Sequence, residues 1–90
     1  MKKFELTATT SIEELKAIPR DEFEELKKKY WGLGSKVGKL VYKGVKNGRN
    51  TVYDVWYKGV QNDKVWKTTL ALLKKKYLGI TPDFSFLEAV

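Results

Sequence analysis

The sequence predicts an α+β fold: an N-terminal strand, two helices, a three-stranded antiparallel meander and a C-terminal helix. Alternating apolar and polar residues predict the strand, helical spacing predicts the helices, and two Asn-containing turn signals predict the meander. We expect a single domain over 1–90, with a strand and helical region over 1–35, a basic meander and helix over 36–80, and a C-terminal segment over 81–90. That last segment is predicted as either a short helix or an extended tail.

The first 35 residues carry the signals of one strand and two helices. Apolar side chains alternate with polar ones over residues 4–9, which is typical of a half-buried strand. Ser11 and Glu14 have the spacing of a capping box and predict a short helix. Asp21 is the expected cap of a second helix, which Gly32 ends.

A seven-residue repeat predicts the meander. Residues 42–48, Tyr-Lys-Gly-Val-Lys-Asn-Gly, return at 57–63 as Tyr-Lys-Gly-Val-Gln-Asn-Asp. Asn-Gly is a strong hairpin signal and Asn-Asp a weaker one, so the predicted strands span roughly 38–46, 49–61 and 64–70. An alternative remains open, in which Asp63 caps one longer helix that includes residues 64–70.

The two predicted hairpins fix which residues share a face of the sheet. The inner face is apolar and aromatic, whereas the outer face combines four lysines with an exposed tryptophan. Loop residues and one arginine extend this positive charge. The candidate nucleic-acid-binding residues are therefore Lys36, Lys39, Lys43, Lys46, Arg49, Trp56, Lys58, Lys64 and Lys67.

A second repeat places two lysine triplets in matching contexts. Leu-Lys-Lys-Lys-Tyr-Trp-Gly-Leu at 26–33 recurs as Leu-Lys-Lys-Lys-Tyr-Leu-Gly-Ile at 73–80. The triplets have two interpretations, as phosphate clamps or as helix C-termini at which lysine offsets the helix dipole and glycine forms the cap. We favour helix C-termini as their main role, because the helix dipole and the glycine cap account for each position of the repeat.

Composition excludes several kinds of site. The sequence contains no cysteine and no histidine, so disulfides, thiolate nucleophiles, zinc and iron–sulfur sites and the usual general base are excluded. We expect no cofactor, no metal site and no catalytic residue. We also expect a cytoplasmic protein without membrane contact, because no apolar run approaches the length of a membrane span.

The charge is concentrated in one block. Residues 26–79 hold fourteen basic and two acidic residues, a net of +12, although the whole chain carries +7. Sixteen of the eighteen basic residues are lysine, which contacts phosphate as a point charge and lacks the planar fork by which arginine recognises guanine. The sequence therefore predicts a small nucleic-acid-binding protein with little base-specific readout.

Among nucleic acids we favour double-stranded DNA over RNA or single-stranded DNA, and a homodimer is compatible with this role. A meander followed by a helix, with the Tyr-Lys-Gly-Val opening, resembles the sheet-plus-helix DNA-binding modules of the integrase arm-binding type over residues 38–80. Two alternatives stay open. One is a metal-free endoribonuclease similar to RelE-like toxins, with Lys43, Arg49, Tyr53 and Lys58 as candidate groups. The other is an inhibitor or adaptor that binds an acidic protein surface.

Overall fold

The described part of the chain is helical, with five α-helices and a short 3₁₀ turn. The structure, a computed structural model, describes residues 5–43 and 48–87. The helices are α1 (Ile12–Ala17), α2 (Arg20–Lys28), α3 (Leu33–Val41), α4 (Gly48–Lys58) and α5 (Asp63–Leu78), and the 3₁₀ turn is Ser85–Leu87. No strand occurs within these residues. The predicted α+β fold, with its N-terminal strand and its meander, is therefore wrong.

The predicted ends of several helices are confirmed. Ser11 caps α1 by accepting a hydrogen bond from the Glu14 amide at 3.3 Å, which confirms Ser11 as the predicted N-cap. Both lysine triplets lie at helix C-terminal ends, one at the end of α2 and the other in the last turns of α5. Gly79 closes α5 in the left-handed conformation, with φ 71°. The predicted bounds of the second helix are wrong: the N-cap of α2 is Pro19 and not Asp21, and α2 ends at Lys28, whereas the left-handed Gly32 is the N-cap of α3.

The segment predicted as the central strand forms α4 because its strongest apolar pattern is helical. Val52, Val55 and Trp56 are spaced as i, i+3 and i+4, and all three are buried. The strand interpretation placed Val52 and Trp56 on an outer, solvent-facing surface. Tertiary packing of the helical face thus overrides the β propensity of valine and aromatic residues.

The seven-residue repeat marks a connection between helices. In its second copy Lys58 ends α4, Gly59 is left-handed with φ 77°, and the Asn62 side chain caps α5 by accepting from the Lys64 amide at 3.1 Å. The asparagine interpreted as a hairpin tip is therefore a helix cap. Residues 44–47 of the first copy lie outside the described residues. The alternative of one long helix is confirmed for residues 64–70, but its cap is Asn62 and not Asp63.

The core forms around α5, which α1, α3 and α4 all contact. Val65, Thr68, Leu72 and Leu73 of this helix are almost completely buried. Polar interactions fix the outer helices at its two ends. Lys16 of α1 pairs with Asp63 at 2.9 Å, and the Tyr77 hydroxyl donates to the carbonyl of Leu26 in α2 at 2.6 Å.

A glycine allows α3 and α4 to approach closely. A Cβ atom at Gly34 would lie 3.0 Å from the nearest ring atom of Tyr53. That distance is shorter than an ordinary van der Waals contact, so a larger side chain at this position would displace the Tyr53 ring. The close approach brings Tyr53 of α4 to the surface that α3 forms with the end of α2.

Two adjacent buried threonines in α5 provide a matched test of this packing. Thr69 Oγ1 accepts from Trp56 Nε1 at 3.1 Å and donates to the Val65 carbonyl at 2.7 Å. Thr68 Oγ1 is buried and has no hydrogen-bond partner among the described residues. We predict that Thr69→Val lowers the free energy of unfolding by about 1–3 kcal/mol, because it leaves the buried indole N–H without an acceptor.

The control is Thr68→Val, which removes a buried hydroxyl that forms no hydrogen bond. We expect it to leave the free energy of unfolding unchanged or to raise it by about 1 kcal/mol. Urea unfolding followed by circular dichroism measures both variants. Equal destabilisation by the two substitutions would contradict the placement of Trp56 against Thr69.

Candidate nucleic-acid interface

A groove with a volume of about 860 Å³ lies between the C-terminal end of α2 and α3. The turn between the two helices and Tyr53 of α4 contribute to its lining. We call it the Trp31 groove; the side chains that define it are Glu24, Lys27, Lys28, Trp31, Lys36, Lys39 and Tyr53. The groove therefore combines residues from three helices and one turn.

The Trp31 groove is strongly basic. Four lysines line it, and Glu24 is the one acidic residue among its lining. Lys28, Lys36 and Lys39 are exposed, and no carboxylate within the described residues forms an ion pair with them. Their positive charge is therefore available to an anionic ligand in solution.

Trp31 is the most exposed large apolar side chain of the described residues. It is 95% exposed, whereas Trp56 and Trp66 are each 8% exposed. Backbone hydrogen bonds hold the turn that carries it: the Tyr30 amide donates to the Lys27 carbonyl at 3.0 Å, and the Leu33 amide donates to the Tyr30 carbonyl at 3.2 Å. The indole is thus presented to solvent by an ordered turn.

An aromatic cluster fixes Lys27 at the inner wall of the Trp31 groove. Its Nζ lies 4.9 to 5.6 Å from four ring centroids. These rings belong to Phe23, Tyr53, Trp56 and Tyr57. Attraction between an ammonium group and aromatic faces favours this placement. We call these four rings and Lys27 the Lys27 cluster.

A short hydrogen-bonded chain completes the Lys27 cluster. Lys27 Nζ donates to the Tyr57 hydroxyl, which in turn donates to Glu24 Oε1. Lys27 Nζ also lies 3.4 Å from Glu24 Oε2, and the Arg20 guanidinium lies 4.5 Å from the Tyr57 ring centroid. Lys27 therefore has its own carboxylate partner, unlike the three exposed lysines.

These contacts shift two titrations. The hydrogen bond from Tyr57, followed by the charge of Lys27, lowers the pKa of Glu24 below its ordinary value of 4.5, against the opposing effect of burial. Burial and the hydrogen bond to Glu24 raise the pKa of Tyr57 above its ordinary value of 10. At neutral pH Tyr57 is therefore a neutral phenol that donates to the Glu24 carboxylate.

The structure brings two of the sequence-predicted site residues, Lys36 and Lys39, into the Trp31 groove. Lys43 is exposed just beyond α3. Lys58 is the last residue of α4, and its Nζ lies 3.4 Å from Asp54 Oδ1. Lys64 and Lys67 are exposed on α5 and do not line the groove.

Trp56 is a correction. We predicted it on a solvent-exposed sheet face, but it lies in the core, in edge-to-face contact with Phe23 at a centroid distance of 5.2 Å. Its indole cannot stack on a base while it is buried there. Lys46 lies outside the described residues, and so does the side chain of Arg49, whose backbone belongs to α4.

Sequence reasoning did not select Lys27, Lys28 or Trp31 as site residues. The sequence indicates that the main role of the first lysine triplet is to end a helix. Its position at the C-terminal end of α2 confirms this role. The additional signal was Trp31 itself, since the second copy of the repeat has a leucine at that place. A large aromatic residue next to a glycine, in the short turn between two helices, is a candidate for exposure.

Two further findings bear on the kind of site. Within residues 5–43 and 48–87, no group of three or more acidic side chains is arranged to hold a metal ion. None of the helices formed by these residues is both long enough and apolar enough to span a bilayer. No protein-family model, curated protein or solved structure matches the chain.

We predict that the Glu24 carboxylate makes stability depend on pH. Its pKa is lowered in the folded state, so its contribution is present above about pH 4.5 and is lost as the pH falls through the folded-state pKa. Glu24→Gln should therefore lower the urea midpoint at pH 7 more than at pH 3.

Glu13→Gln is the control, because Glu13 is exposed on α1 and lies outside the Lys27 cluster. We expect a smaller difference between the two pH values for this variant. The same urea midpoints at both pH values measure it. A Glu24→Gln effect as large at pH 3 as at pH 7 would contradict the hydrogen-bonded chain.

Proposed function

We propose that this protein binds nucleic acid through the Trp31 groove. The observation that carries the proposal is the convergence of Lys28, Lys36 and Lys39 with a fully exposed tryptophan in one groove. Lysine ammonium groups contact phosphates without reading base identity, and most of the affinity of such a site comes from counterion release. We therefore expect binding with steep salt dependence and weak sequence preference.

The distribution of charge in the groove favours a polyanion over a small anion as the ligand. Its lysines come from two helices, at the end of α2 and along α3, so their charges are spread along the groove. The helix dipole places a partial positive charge at the N-terminal end of α3, on the same side. No acidic residue in the first turn of α3 offsets this charge. A chain of phosphates uses spaced charges better than one phosphate does.

The earlier preference for double-stranded DNA depended on a sheet face, which the described residues do not form. The resemblance to sheet-plus-helix modules and to RelE-like toxins depended on the same strands. We therefore propose nucleic-acid binding without the predicted sheet face, the preference for duplex DNA or the two resemblances. An acidic protein surface and RNA cleavage become outcomes of the binding test.

Neutralising the groove should abolish most binding. We predict that the triple variant Lys28→Gln, Lys36→Gln, Lys39→Gln reduces the salt slope for single strands by about 2 and weakens binding about 100-fold at ~0.1 M salt. Fluorescence anisotropy of labelled DNA and RNA at several salt concentrations measures both quantities. Gel analysis of the same RNA detects cleavage.

The matched control removes the same charge elsewhere. Lys64, Lys75 and Lys76 are exposed on α5 and lie outside the groove, so the corresponding Gln triple tests the effect of net charge alone. We expect it to weaken binding only a few-fold. Equal losses in the two triples would overturn the Trp31 groove as the binding site, and no binding at low salt would favour an acidic protein partner.

A further inference from the structure

The Trp31 groove combines two features that serve different parts of a ligand. Its exposed lysines suit phosphates, whereas the Trp31 indole is an apolar, aromatic surface almost completely in water. Tryptophan is usually well buried in a folded chain, and the other two tryptophans here are in the core. An indole presented beside lysines on an ordered turn therefore indicates a ligand with both phosphates and flat rings.

The position of Trp31 determines which nucleic acid fits. Bases within a duplex are stacked on each other, so their faces are covered except at the ends. Bases of a single strand can turn outward and stack on an aromatic side chain. The turn that carries Trp31 is held by backbone hydrogen bonds on both sides of the residue, which lowers the entropic cost of ordering its backbone on binding.

The type of basic residue agrees with this choice. Among the described side chains that line the groove, every basic one is a lysine. Lysine lacks the planar fork that reads base edges in a duplex groove, so the lysines would follow a phosphate backbone. Lysines along a groove, together with one stacking ring, are the combination used to bind single strands without sequence preference.

We infer that the ligand of the Trp31 groove is single-stranded nucleic acid, with one base stacked on Trp31 and the neighbouring phosphates on Lys28, Lys36 and Lys39. This inference rests on the proposed function and specifies its ligand. Stacking adds to the phosphate contacts but does not replace them. The two contributions can therefore be measured separately.

Three probes separate the contributions: an oligothymidine of about 12 nucleotides, an abasic oligonucleotide of the same length, and a duplex of the same length. We expect the wild-type protein to bind the oligothymidine about 10-fold or more tightly than the abasic probe, which has the same phosphates but no bases. We also expect it to favour the oligothymidine over the duplex. Binding at fixed low salt measures all three affinities.

Trp31→Ala should remove the preference for the oligothymidine over the abasic probe, and Trp31→Phe should keep most of it. Leu78→Ala is the matched control, because Leu78 occupies the corresponding place in the second copy of the repeat, is 41% exposed and lies outside the groove. We expect that variant to bind all three probes as the wild-type protein does. Circular dichroism checks that each variant is folded.

The failures of the two proposals are distinguishable. Unchanged oligothymidine binding by Trp31→Ala, with the groove lysine triple still defective, would overturn the single-strand inference and leave nucleic-acid binding in place. Equal or tighter wild-type binding to the abasic probe or the duplex would do the same. Failure of all three probes, and of the labelled RNA, to bind at low salt would overturn both.

Discussion

The arrangement of the helices depends on the burial of Trp56. Its indole N–H donates to Thr69 of α5 at 3.1 Å, and its ring packs edge to face against Phe23 of α2 at 5.2 Å. A single side chain on α4 thus joins three helices. Its aromatic surface also lies 4.9 Å from Lys27 Nζ, so the same packing that stabilises the core fixes one wall of the Trp31 groove. The candidate interface is therefore a consequence of how the core is filled.

The helical packing also changes how the basic block of the sequence is used. Several of its lysines have intramolecular roles: Lys27 joins the aromatic cluster, Lys58 pairs with Asp54, and Lys74 donates to the Ala8 carbonyl at 3.0 Å. The groove adds Lys28, Lys36 and Lys39, which remain exposed. Net charge alone indicates a polyanion partner, whereas this distribution indicates where on the surface such a partner would bind.

Local signals predicted the start of α1 and the end of α5 correctly but not the bounds of α2, and longer-range pairing could not be predicted from them. The N-cap at Ser11 and the C-cap at Gly79 depend on hydrogen bonds within a few residues, so the sequence is sufficient to locate them. The Asn62-Asp63 turn signal is ambiguous, because asparagine favours both hairpin turns and helix caps. Val52, Val55 and Trp56 satisfy helical spacing, but neighbouring aromatics also alternate as in a strand. Burial against α3 and α5 decides between the two patterns, and the sequence does not show those contacts.

The same ambiguity led the site prediction to the wrong tryptophan. Lys36 and Lys39 were selected because they are basic, and that property does not depend on the fold, whereas Trp56 was selected from a register that does. An NMR titration of the ¹⁵N-labelled protein with a single-stranded oligonucleotide tests the account most directly. If single strands bind in the Trp31 groove, the indole N–H signal of Trp31 and the amide signals of the groove residues shift, while the indole signals of Trp56 and Trp66 stay in place. Shifts confined to α5 surface residues such as Lys64, with the Trp31 signal unchanged, would contradict it.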